Sequence, residues 1–178
     1  MIQGPDLSTG GGLELEADRF AKVFEDHHRQ LFRLALLITG GDRALSEDVV
    51  GQAFLATLPR WRKGAVADPT SYLRRAVVNQ ANGVFRRRRT ERRGALGMAW
   101  ARQEMVSGEG AIDDRDVLWT ALGTLPPRQR SAVVLRYYED LSESETARVL
   151  GVSVGTVKSQ TARGLVKLRD ALGEIDSG

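Results

Sequence analysis

The chain predicts an all-α protein of two small helical domains joined by a flexible linker. Three observations carry that expectation. Apolar residues recur at intervals of three and four along most of the 178 residues. No stretch alternates with the period of two that a half-buried strand requires. One interval, 94–113, breaks the helical period with Gly94, Gly97, Gly108 and Gly110. On this basis residues 1–17 are a disordered leader, 18–93 the first domain, 94–113 the linker, 114–172 the second domain and 173–178 a tail.

The elements follow in order. Met1 to Gly12 ends in three glycines and lacks periodic apolar content, so nothing there offers a face to bury. From Asp18 an amphipathic helix runs through Phe20, Val23, Phe24, Leu31, Leu34, Ala35 and Ile38, and Gly40 and Gly41 stop it. Asp42 can cap the next helix, whose stripe is Leu45, Val49, Ala53 and Phe54; Pro59 should kink or end it before Trp61. Asp68 followed by Pro69 reads as a cap with proline at the first helical position. The third helix then carries Tyr72, Leu73, Ala76, Val77, Gln80 and Val84 into Arg86–Arg89.

Beyond the linker, Asp113 or Asp114 can cap a helix bearing Val117, Leu118, Ala121, Leu122 and Leu125, and Pro126-Pro127 ends it and starts another through Val133, Val134 and Tyr137. The most informative stretch comes next. Ser142 stands three residues before Glu145, the spacing of a capping box. Ala147, Val149 and Leu150 give a short helix its apolar side, and Gly151 permits a tight turn. In the last helix Ser153 is the cap, and Val154, Val157, Thr161, Leu165, Leu168 and Leu172 form one buried stripe. Ser153, Gly155, Thr156, Lys158, Ser159, Ala162 and Arg163 are left as small, hydroxylic and cationic positions near the start of a helix, which suits entry into a DNA major groove. The bland alternative is a helical hairpin with a wet, charged side.

Charge and composition narrow the function classes. Residues 18–93 hold sixteen Lys/Arg against eight Asp/Glu, whereas the whole chain is only +3, so the first domain is the polyanion-binding half. Its charge is densest at Arg86, Arg87, Arg88 and Arg89. The absence of cysteine removes disulfides, thiolate catalysis and cysteine-ligated zinc together. His27 and His28 are adjacent and point about 100° apart on a helix, so they do not share a metal without further ligands. Glu139, Asp140, Glu143 and Glu145 form a carboxylate cluster on a turn and a cap, with nothing beside it to act as nucleophile or electrophile. No secretory signal and no apolar run of membrane-spanning length is visible, so the expected location is cytoplasmic. No enzyme activity, metal, cofactor or small-molecule substrate is expected.

At this point the residues resemble a family. Ser46-Glu47-Asp48-Val49-Val50-Gly51-Gln52-Ala53-Phe54, the third-helix segment Asp68-Pro69 to Asn79, the segment Leu125-Pro126-Pro127 to Ser142, and above all Gly155-Thr156-Val157-Lys158-Ser159 are similar to bacterial sigma-70 type sigma factors of the small extracytoplasmic-function (ECF) group, in the SigE-like actinobacterial subgroup. The resemblance implies two partners, core RNA polymerase and promoter DNA, with the polymerase doing the chemistry. It assigns Asp48, Gln52 and Phe54 to the polymerase clamp coiled coil, with charge favourable to the helix N-terminus as the alternative for Asp48 and plain core as the alternative for Phe54, although Gly51 and Ala53 stand where the family more often carries a polar and an acidic residue. It assigns Asn79 to a pocket for a base flipped from the minus-ten element, where an amide can read a Watson-Crick edge; a polar cap or bend inside the helix is the alternative. Arg74, Arg75 and Arg86–Arg89 flank it as strand contacts, and Trp61 and Tyr72 are stacking candidates, with plain core as the alternative and the better reading for Tyr72. Lys158 and Ser159 fall on minus-thirty-five base readers, and Thr156 and Arg163 suit phosphate contacts; Arg128 and Arg130 suit the DNA backbone or the polymerase flap, with helix capping and surface solvation as the alternative. An anti-sigma factor is an expected further partner. The rival is a stand-alone helix-turn-helix regulator whose first domain binds a ligand or dimerises.

Overall fold

A computed structural model describes residues 8–94 and 114–175. Among the described residues there are seven helices: α1 (Ser8–Thr39), α2 (Arg43–Trp61), α3 (Pro69–Gly94), α4 (Asp114–Thr124), α5 (Pro127–Tyr137), α6 (Glu143–Leu150) and α7 (Val154–Ile175).

The boundaries have local causes. Gly40 and Gly41 close α1 with φ of 77° and 93°, a backbone region that glycine enters without a Cβ penalty. The Asp42 side chain accepts from the Leu45 N–H at 2.9 Å and starts α2. Asp68 accepts from the Ser71 N–H at 3.3 Å to start α3. Its hydrogen bonds with Ser71 hold its carboxyl below the ordinary 3.8. Pro127 stands at the first position of α5. At α6 both halves of the capping box are made: Ser142 Oγ accepts from the Glu145 N–H at 3.2 Å, and Glu145 Oε2 accepts from the Ser142 N–H at 2.8 Å.

Three boundaries differ from expectation. The first helix begins at Ser8, so residues 8–17, expected in the disordered leader, continue α1; adding residues to a helix already nucleated is far cheaper than starting one. Residues 1–7 lie outside the described residues, as do 95–113 of the expected linker and 176–178 of the tail. Pro59 does not end α2, which runs on to Trp61. Proline in the last turn removes a single bond, to the carbonyl of the exposed Leu55, so helix and water both remain available there. At the C-terminus α7 extends past Leu172 to Ile175.

The two modules are packed on one another. Leu34, Ile38, Val49, Val50, Leu73, Val77 and Val78 of the first share a continuous core with Leu122, Val134, Leu135 and Val149 of the second. The reason lies in α3, which buries two stripes. Leu73 and Val77 form one; Val78 and Ala81, with the partly buried Phe85, form the other, and a helix apolar on two sides needs two partners. α3 meets α1 and α2 on one side and α5 and α6 on the other.

Arg130 sits in this seam, only 2% exposed. Its Nη1 donates to the Leu122 carbonyl at 3.3 Å, and its guanidinium lies 5.8 Å from the centre of the Phe85 ring. Gly40 passes so close that a Cβ there would overlap the guanidinium. The expected contact of Arg130 with DNA or the polymerase flap is therefore not available in this structure, whereas Arg128 is exposed. Burial pushes the Arg130 pKa down to about 10.

Candidate nucleic-acid and polymerase interface

α7 is held from behind by close packing. Val157 is fully buried and Thr161 nearly so, and Gly164 lies where a Cβ would come within 2.7 Å of Val133 Cγ2 and 3.3 Å of the Gln129 carbonyl. That seat on α5 turns Gly155, Lys158, Ser159, Ala162 and Arg163 to solvent as one surface, with Ser153 exposed at its start. Hydroxyls organise the first turn. Ser153 Oγ accepts from the Thr156 N–H at 3.2 Å and lies 2.9 Å from Thr156 Oγ1, and Ser159 Oγ donates to the Thr156 carbonyl at 3.0 Å. Thr156 is half-buried. The expected minus-thirty-five residues thus share one face. Val154 leaves the buried stripe and is 37% exposed, because the helix start projects beyond its support.

The minus-ten set divides. Arg75, Asn79 and Arg86 are exposed and recur at intervals of four and seven along α3, so they lie on one line. Asn82, half-buried on the same line, is a second amide, and its spacing of three from Asn79 is the sequence signal that marks it. Arg87 and Arg88 are exposed on flanking sides, and the Arg89 side chain lies outside the described residues. Arg74 turns the other way, onto the second module, and its Nε ion-pairs with Glu139 Oε2. Trp61 packs edge-on against Phe20 at 5.7 Å between ring centres, which commits one side of the ring to α1. Tyr72 is half-buried under Arg60, whose guanidinium lies 5.9 Å from the ring centre.

On α2, Asp48 and Gln52 are exposed on one line. Phe54 is not on it. At 4% exposure it belongs to the core, with ring centres 4.7 Å from Phe24 and 6.1 Å from Phe20, so it offers no docking surface. The apolar residue that completes the line, seven positions after Asp48, is Leu55, 63% exposed. Helical spacing from Asp48 would have found it.

These surfaces have counterparts in known proteins. Residues 23–91 match Sigma-70 region 2 and residues 115–168 match Sigma-70, region 4. RNA polymerase sigma-E factor of Streptomyces avermitilis is 37% identical over 168 residues, covering 93% of this chain and 89% of that protein. The chain belongs to the sigma-70 family. ECF RNA polymerase sigma factor SigM of Mycobacterium tuberculosis, 33% identical over 168 residues and covering 90% and 82% of the two chains, places it in the ECF group of RNA polymerase sigma factors that serve transcription initiation. The match of the first module to region 2 disfavours the stand-alone regulator, which required a ligand or dimerisation domain there. Among solved structures, the sigma factor RpoE in complex with the anti-sigma factor NepR from Bartonella quintana shares the fold, with a TM-score of 0.67 and 20% identity over 87% of this chain and 97% of that one. CnrH, solved with the cytosolic domain of CnrY, does so with a TM-score of 0.57 and 23% identity over 87% and 88%.

Proposed function

We propose that this sigma factor uses three separate helix faces for its three contacts. The exposed line Arg75, Asn79, Asn82 and Arg86 of α3 holds the displaced minus-ten strand: the arginines bind phosphates, and the Asn79 amide reads an unpaired base. Gly155, Lys158, Ser159, Ala162 and Arg163 of α7 enter the major groove at the minus-thirty-five element, with Ser153 and Thr156 at its edge. Asp48, Gln52 and Leu55 of α2 dock on the clamp coiled coil of core RNA polymerase, an acidic-polar line with one apolar anchor. An anti-sigma factor is a further partner of these surfaces; the solved RpoE is bound to one, NepR. The site of action is the cytoplasm; no described helix is long and apolar enough to cross a membrane.

The α3 line carries the proposal, because it puts two amides between two arginines on a surface open to solvent. Flipping a base costs a few kcal/mol that a specific contact must offset. On a promoter selected from random-sequence DNA with the holoenzyme, Asn79→Ala is expected to bind polymerase normally and to lower permanganate reactivity of unpaired thymines. A pre-melted bubble should restore transcription. Loss of polymerase binding together with a lower melting temperature would instead make Asn79 a structural helix residue.

A further inference from the structure

The carboxylates of residues 139–145 go to different places. Glu139 turns to Arg74 of the first module, and Glu145 closes the capping box on Ser142. Glu143, the first residue of α6, reaches the neighbouring helix instead, its Oε2 lying 3.5 Å from Lys158 Nζ. This pair joins the two helices of the helix-turn-helix. It stays open to solvent, with 40% of the Glu143 side chain and 62% of the Lys158 side chain exposed.

Both ends of the pair are fixed at the backbone. Ser142 and Glu145 make reciprocal hydrogen bonds around Glu143, which hold the start of α6. At the other end of α6, Gly151 takes a φ of 65° and turns the chain directly into α7, and the Val152 N–H donates to the Ala147 carbonyl at 3.1 Å across the turn. Ala147 and Val149 of α6 and Val157 of α7 are buried beneath. The two backbones therefore form one rigid corner, and the carboxylate arm starts from a constant place relative to the lysine.

The lysine gains from such a fixed point. An ammonium on a four-carbon stem is a point charge with large rotamer freedom, and beside duplex DNA its strongest unguided attraction is to phosphate, which carries no sequence information. The hydroxyls around it are committed elsewhere: Ser153 Oγ is tied to Thr156, and Ser159 Oγ donates to the Thr156 carbonyl. A carboxylate beside Nζ narrows the directions the ammonium takes. Its negative charge also repels a phosphate from the same spot, whereas the uncharged acceptors of a base edge are repelled far less.

We infer that Glu143 is a positioning residue for promoter recognition: it holds Lys158 toward the base edges of the minus-thirty-five element and away from the DNA backbone, so that sequence preference rises while non-specific attraction falls. This rests on the assignment of Lys158 to a base in that element.

The test uses the holoenzyme on the promoter it selects from random-sequence DNA, with each base pair of the minus-thirty-five element replaced in turn. Lys158→Ala defines the position that Lys158 reads. Glu143→Gln is expected to lower preference at that position by about threefold, to leave the other positions unchanged, and to tighten binding to a promoter with a scrambled minus-thirty-five element. On the scrambled promoter the salt slope should steepen, by at most about one, as Nζ passes to a phosphate. In a Lys158→Ala background Glu143→Gln is expected to change no preference, and Glu143→Asp, which keeps the charge on a shorter arm, should retain part of it. A role confined to the stability of α6 would lower the melting temperature and leave the preference profile as it was. Equal tightening on every promoter, with or without Lys158, would reduce Glu143 to general repulsion and overturn the inference, as would an unchanged profile in Glu143→Gln. If Lys158→Ala relaxes no position, the base assignment of Lys158 itself is wrong, and the positioning role falls with it.

Discussion

α7 and α3 both present a polar face to nucleic acid, and they differ in what lies behind it. α7 buries one stripe, through Val157, Thr161 and Gly164, against its own module, so its outward residues act as one surface. As far as Phe85, α3 buries two stripes and keeps only a narrow line for solvent, so adjacent arginines part company: Arg75 faces out while Arg74 pairs with Glu139 across the seam. A run of like side chains is a functional unit only on a helix with a single buried side. On a doubly buried helix the run is divided by packing, and each member must be placed before it is given a role.

The contrast breaks most readily at the seam. Gly40→Ala forces both a positive φ and an overlap with Arg130. It should lower stability by about 2–4 kcal/mol in urea unfolding. Stability equal to wild type would mean that the modules do not close as described. Next, Gly164→Ala tests the seat of α7. A Cβ within 2.7 Å of Val133 Cγ2 should cost ~1–3 kcal/mol by the same measurement.

How far the sequence went is clear from the same residues. The Ser142–Glu145 box, the Asp42 and Asp68 caps and Gly151 are local signals, because a cap is a bond between residues two or three apart. The α7 face was legible because one periodic stripe determines the opposite side. The burial of Phe54 was legible in the stripe it shares with Leu45, Val49 and Ala53, and the exposure of Leu55 in the spacing that starts at Asp48. What escaped was decided at long range. The burial of Arg130 depends on Gly40 and Phe85, which belong to the other module. No period within one helix reports it.

Smaller effects sharpen the α7 side. In duplex titrations, Lys158→Ala should relax preference at one minus-thirty-five position by roughly 1–3 kcal/mol. Arg163→Ala should weaken binding to all sequences and reduce the salt slope by about one. An identical sequence-independent loss from both would reassign Lys158 to phosphate.

The smallest effect concerns the cap that precedes the recognition turn. Hydrogen bonds with Ser142 hold the Glu145 carboxyl below its ordinary 4.5. A depressed carboxylate adds stability at pH above its ordinary value and loses that contribution as pH falls through the lowered one. Melting temperature should therefore decline from about pH 5 to about pH 3 more steeply in wild type than in Glu145→Gln. Parallel curves would remove the carboxylate charge from the account of the cap.

Gly40 and Arg130 also carry a consequence for how such chains can diverge. They are far apart in sequence and belong to different modules, yet the space for one guanidinium exists only because the other position has no side chain. A descendant that acquires any side chain at position 40 has to shed the long cation at position 130, or give up the closed arrangement altogether. The two positions are therefore expected to vary as a pair, and a lineage in which they drift independently is one that has abandoned this way of folding the two halves together.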